Sequence, residues 1–164
     1  SKQGDRDGVR RCVLRALEIS PSESNALSNY KDWIYDWVDD ELRERLMGDA
    51  KLVLDYEKNL SMYLLYGACA VAENIDIPQA YELLCTADDY YKGRSAMVKI
   101  FRCICADLMG QDESWLLSEV YTLEQEGGLT YAEELYLVRY LFATNRYEEM
   151  WGYIAQSEIG LLHP

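Results

Sequence analysis

Apolar residues recur at helical spacing along almost the whole chain. In "DGVRRCVLRALEI", Val9, Val13, Ala16 and Leu17 fall at i, i+4, i+7 and i+8, which is one face of a helix. Pro21 ends that segment, because proline disfavours the helical conformation of the residue before it. "SESNALSNYKDWIYDWV" follows, with Ser22 or Ser24 as N-cap and Leu27, Tyr30, Ile34 and Trp37 at 3–4 spacing. "DDELRERLMGDAKLVLDY" opens on acids that suit a helix N-terminus. "NLSMYLLYGACAVAEN" is apolar nearly all round and therefore reads as a helix buried on more than one side. "DIPQAYELLCTADDYY" carries Asp76 as a cap candidate and Pro78 in the first turn. "SAMVKIFRCICADLMG" stops at Gly110, and "DESWLLSEVYTLEQEGG" at Gly127-Gly128. "TYAEELYLVRYLFATN" has the capping-box pairing of Thr130 with Glu133. "RYEEMWGYIAQSEIG" closes a series of about nine helices with short links and no hairpin-type strand pair.

Short links suggest antiparallel helical hairpins, and the core residues that start each second helix show a period. They fall at Val9, Leu42, Ala80, Leu116 and Met150, at intervals of 33, 38, 36 and 34. The best single stretch, "LLYGACAVAENIDIPQAYELLCTA", resembles a tetratricopeptide repeat. Leu64, Gly67, Ala68 and Val71 match its first helix, and Ala80, Leu84 and Ala87 its second. The opening segment matches the second half of such a repeat, with Pro21 as its terminal proline. "NRYEEMWGYIAQ" is similar to the turn and second-helix start, although Met150 stands where a small residue is usual. Residues 24–57 and 97–126 depart from the pattern, and Lys31 occupies a place that belongs to Gly or Ala. Generic helical-hairpin repeats are the rival reading.

The resemblance implies an all-α, right-handed superhelix of about four to five antiparallel hairpins, forming one helical-repeat domain over residues 1–164. The chain then reads as a window cut from a longer array. The alternative is a complete small protein whose first helix caps the stack.

Charge narrows the choice of partner. Of 29 acidic and 16 basic residues, residues 1–36 hold six of each, so the whole net charge of −13 lies beyond them. From Cys103 onward only Arg139 and Arg146 face eleven acids. Such a field repels nucleic acid and anionic membrane and attracts basic proteins, unless it serves only solubility. No apolar run approaches the ~20 residues of a membrane span, and no secretory pattern opens the chain. Cytoplasm or nucleus is the expected location. Cys12, Cys69, Cys85, Cys103 and Cys105 are odd in number and mostly in apolar stretches, so reduced core thiols are expected.

The catalytic inventory is thin. His163 is the one histidine and lies at the chain's end, a poor place for a nucleophile's base. Cys103 and Cys105 would point about 200° apart on a helix and have no second pair to complete a zinc site. The acid pairs Asp39-Asp40, Asp88-Asp89, Glu133-Glu134 and Glu148-Glu149 fit helix ends better than metal ligation. "EQEGGLT" lacks the lysine and spacing of a phosphate loop. No cofactor, metal or enzymatic activity is expected.

In tetratricopeptide arrays the first helices line a concave groove. Mapped on this resemblance, groove positions are Met62, Leu65, Cys69 and Ala72, then Val98, Phe101, Cys105 and Leu108, then Ala132, Leu135, Arg139 and Phe142. The family's carboxylate clamp, which requires Lys, Arg and Asn together there, is absent. The groove either takes an apolar or amphipathic segment of a partner or is filled by the protein's own helices. Phe101 and Phe142 are the expected anchors, with Glu133, Glu134, Glu148 and Glu149 at the rim. Tyr136 and Tyr140 read as packing, while Tyr147, Trp151 and Tyr153 remain open. The leading expectation is a non-enzymatic protein-binding scaffold or adaptor, within a complex or as a homo-oligomer. The alternative is an acidic nucleic-acid mimic that inhibits a DNA- or RNA-binding protein.

Overall fold

The computed structural model describes residues 40–157 and the isolated helical positions Gly8, Arg11, Cys12, Arg15 and Ile19. Val9, Ser22, Ser24, His163 and the expected helix over 24–38 lie outside the described residues, as does the side chain of Leu42. Among the described residues every regular element is a helix: α1 (Asp40–Leu54), α2 (Leu60–Glu73), α3 (Ile77–Tyr90), α4 (Ala96–Leu108), α5 (Leu116–Gly127), α6 (Tyr131–Ala143) and α7 (Tyr147–Gln156). These are the last seven segments that the apolar spacing predicts, with ends displaced by a few residues. The chain divides into two compact units between Leu83 and Leu84, inside α3.

In the first unit α1 packs against α2. An ion pair between Arg43, near the start of α1, and Glu73, at the end of α2, shows that they run antiparallel. Leu46, Met47 and Ala50 form the buried face of α1. From Met62 to Ala70 every residue of α2 is buried, as a helix with no polar face requires. Tyr66, within that stretch, has its pKa raised by burial and then by the nearby Asp76 carboxylate. Asp76 precedes α3 in the left-handed region, at φ 49°, a conformation that Asp tolerates better than most residues.

In the second unit α4 packs on α5 and on α6, and α6 packs on α7. Phe101 of α4 meets Tyr136 of α6 with ring centroids 5.3 Å apart. Tyr121 of α5 meets Tyr153 of α7 at 6.3 Å. Ala68, Ala80, Leu84, Ala87, Leu116 and Met150, all placed in the core by the repeat register, are buried.

Three helices share one local frame. Asn59, Ser95 and Thr130 cap α2, α4 and α6, each accepting a hydrogen bond from the backbone N–H three residues on. Thr130 and Glu133 complete the expected capping box. At the other end Asn74, Gly110 and Asn145 adopt positive φ of 53°, 73° and 60°. The next N–H donates back to Ala70, Ala106 and Leu141 respectively, at 3.1, 2.8 and 2.9 Å, which closes a Schellman turn. From cap to left-handed residue the distance is 15 positions in each case, so the frames start 36 and 35 residues apart. This frame lets residues of α4 and α6 be compared position by position, at an offset of 35.

Candidate functional site

Polar chemistry inside the second unit centres on α4. Lys99 is almost completely buried, although "MVKIF" gives it apolar neighbours on both sides. Its ammonium donates to Asp88 of α3 at 3.2 Å and to Glu119 of α5 at 2.5 Å. One turn on, Arg102 donates to Asp88 at 2.8 Å and to Glu113 of the α4–α5 link at 3.1 Å. Gly93, at φ +66°, makes room for this cluster, since a Cβ there would lie 3.3 Å from the Lys99 nitrogen. Two cations meet three carboxylates, so no charge of the cluster is buried alone. Among the described residues no group of three or more His, Cys, Asp and Glu is arranged to hold a metal ion.

Tyrosine hydroxyls form a second polar system. Tyr121 donates to Glu149 at 2.7 Å, linking α5 to α7. Tyr153 donates to Glu134 at 3.3 Å, linking α7 to α6, and Asp107 of α4 lies near enough to the Tyr140 hydroxyl of α6 to raise its pKa. Burial, followed by the nearby carboxylates, raises the pKa of Tyr66, Tyr121, Tyr140 and Tyr153 above the ordinary tyrosine value.

The thiols are shielded. Cys69, Cys103 and Cys105 are buried, and burial pushes each pKa up to about 12. A thiol held neutral at pH 7 is a poor nucleophile. Two adjoining shallow cavities of about 260 and 280 Å³ share Arg94, Leu123 and Glu126. Both are open and of mixed charge, and each is below the ~300 Å³ at which small-molecule pockets usually begin.

The expected groove residues separate into two groups. Met62, Leu65, Val98 and Phe101 are 0–1% exposed and belong to the core, so no partner reaches them on an open groove. The physical reason is that α2 and the first half of α4 are buried on every face. Cys69 and Cys105 are buried with them, whereas Leu108 and Ala72 are exposed. Leu135 is half-buried, Arg139 is exposed with its guanidinium 5.9 Å from the Tyr136 ring, and Phe142 is 60% exposed. Among the rim acids Glu148 is exposed. Glu133 closes the α6 capping box, Glu134 is buried against Tyr153, and Glu149 is held by Tyr121 and Arg146. Tyr136, Tyr140 and Tyr153 are buried, while Tyr147 and Trp151 are exposed.

The shared frame brings out an apolar stripe. Tyr131, Leu135, Val138 and Phe142 lie at i, i+4, i+7 and i+11 on α6 and are half-buried to exposed. The α4 residues at the first three of these positions, Ala96, Ile100 and Cys103, are buried. The stripe runs onto α7, where Tyr147 packs on Phe142 with centroids 5.7 Å apart and Trp151, one turn further, is 64% exposed. Spacing alone could have found Tyr131 and Val138 on the Leu135–Phe142 face. Nothing in the sequence marks which side of α6 stays open.

Taken together these features define, among the described residues, an all-helical fold with an uncovered apolar surface on the last two helices. Searches against protein-family models, curated proteins and solved structures find no match for the chain. Among the described residues no helix is long and apolar enough to cross a membrane.

Proposed function

We propose that the chain is a tetratricopeptide-like helical-repeat module that acts as a non-enzymatic scaffold or adaptor. It docks an amphipathic segment of a protein partner on the α6–α7 surface. The observation that carries this reading is the stripe Tyr131, Leu135, Val138 and Phe142 on α6, the first three of which are open where the equivalent α4 positions are covered. The constant frame and the packing of α4 on α5 and α6 and of α6 on α7 support the repeat reading. Aromatic side chains with little rotamer freedom suit a docking surface. The acidic excess beyond Cys103, with Glu148 exposed beside the stripe, favours a partner that flanks its apolar face with Lys or Arg. A nucleic-acid mimic would use the same charge but would have no need of exposed aromatics.

Selection of displayed 15-residue peptides on the intact chain tests the reading. Basic amphipathic sequences should be enriched. Phe142→Ala and Trp151→Ala should each weaken their binding by ~2 kcal/mol or more, with melting temperatures close to that of the parent. Enrichment of peptides that bind both variants as well as the parent would refute the assignment of the surface. Displacement of the peptides by duplex DNA would favour the mimic.

A further inference from the structure

Helix α4 is packed by its neighbour α5 and by α6, two helices on. Among the described residues α6 has α7 beside it but no helix two places on. The stripe Tyr131, Leu135, Val138 and Phe142 runs about 16 Å along α6, which is room for one further helix. The opening segment carries a helical face of the matching kind. Arg11, Cys12, Arg15 and Ile19 fall at i, i+1, i+4 and i+8, within about 100° around a helix and about 12 Å along it. All four are exposed, Ile19 to 72%. This face sets an isoleucine and a thiol beside two guanidinium groups. Charge is complementary as well. Residues 1–20 hold five basic and three acidic side chains, whereas from Cys103 onward two basic residues face eleven acids. Glu148 lies within one turn of both Tyr147 and Trp151 and is exposed with them. Both faces are open in the same chain, so each is available to a second copy.

We infer that the occupant of the α6–α7 stripe is the Arg11–Ile19 helical face of a second copy, so that copies associate head to tail; this occupant rests on the docking role proposed above for the stripe. Cys12 and Ile19 go against the apolar side chains, and Arg11 and Arg15 go to the acidic edge where Glu148 stands. Burial of Phe142 and Trp151 supplies the energy, and the opposite charges set the orientation and speed the encounter. The two faces differ, so the contact is heterologous, and its repetition extends into chains or closes into a ring. A contact one helix wide falls at the small end of interface sizes, below ~1,200 Å², so association is weak and rises with concentration.

Sedimentation velocity of the full chain, from micromolar to near-millimolar concentration, tests this. The mean sedimentation coefficient should rise with concentration. Salt at ~1 M should reduce the rise, because exposed charges are then screened beyond about 3 Å. Arg11→Glu with Arg15→Glu should weaken association ~30-fold or more, and so should Phe142→Ala with Trp151→Ala. All four residues are exposed, so both double variants should keep the parent's helix signal and melting temperature. Mixed together, the two double variants should form a one-to-one pair, since each retains the face that the other has lost. A parent that stays monomeric at every concentration overturns the inference. So does an arginine variant that associates as well as the parent, because the stripe would then be meeting a second stripe. If the parent is monomeric while selected basic peptides still bind through Phe142 and Trp151, the docking surface stands and only this occupant falls. If those peptides fail to bind as well, the docking reading falls with it.

Discussion

Helices α4 and α6 are built on the same frame and live in different surroundings. Each starts at a hydroxyl cap, Ser95 or Thr130, and ends 15 residues later at a left-handed residue, Gly110 or Asn145. Position by position their apolar content is similar. Yet Ala96, Ile100 and Cys103 are buried on α4, while Tyr131, Leu135 and Val138 remain partly or largely exposed on α6. The fourth frame position holds a buried charge in both, Lys99 and Glu134, each with its partner from another helix. Hydrophobicity along a helix thus sets which positions seek cover, and the neighbouring helices decide which of them find it. An apolar stripe that its own chain leaves open is where binding energy remains to be gained.

Alkali should disturb both helices most. The folded pKa values of Tyr66, Tyr121, Tyr140 and Tyr153 are raised above the unfolded value near 10. Their contribution to stability is therefore complete below about pH 10 and is lost as pH rises beyond it. Far-ultraviolet circular dichroism should report cooperative loss of helix above about pH 10, with tyrosinate absorbance rising in the same transition. Ionisation of all the tyrosines with the helix signal intact would show that these tyrosines do not hold α4, α5, α6 and α7 together.

Matched truncations come next. Phe101→Ala on α4 should cost ~3–5 kcal/mol in urea unfolding, as the deletion of a buried aromatic does. Phe142→Ala on α6 should stay within about 0.5 kcal/mol, because its ring is mostly in water already. Equal losses would mean that the α6 stripe is covered core and would remove the basis for a docking surface.

Lys99 isolates the electrostatic side of the contrast. Lys99→Ala removes one of the two cations on Asp88 and leaves Arg102 as its remaining partner, so it should destabilise by ~1–3 kcal/mol. Removing the carboxylate as well, in Lys99→Met with Asp88→Asn, should recover part of that loss. A double variant no more stable than Lys99→Ala would show that the cost lay in packing and not in charge.

The smallest effects test the frame itself. Ser95→Ala and Thr130→Ala should each cost ~1 kcal/mol, because a cap is local and indifferent to what covers the helix. A cap loss several times larger on one helix than on the other would show that the two ends are not equivalent.

The helices are legible in the amino-acid sequence because the chemistry that starts and stops them is local. The Thr130–Glu133 box and Gly110 act within one or two turns, so their positions in the chain predict them. The apolar spacing likewise places Ala68, Ala80, Leu84, Leu116 and Met150 in the core, because a helix turns by a fixed angle per residue. Which of two apolar faces closes is a different kind of question. Phe101 and Phe142 occupy similar contexts as expected anchors, yet one is 1% and the other 60% exposed. Lys99 in "MVKIF" looks like a lone solvent-seeking charge until α3 and α5 bring Asp88 and Glu119 to it. Covering and charge pairing depend on residues far away in sequence, and tertiary packing alone brings those residues together.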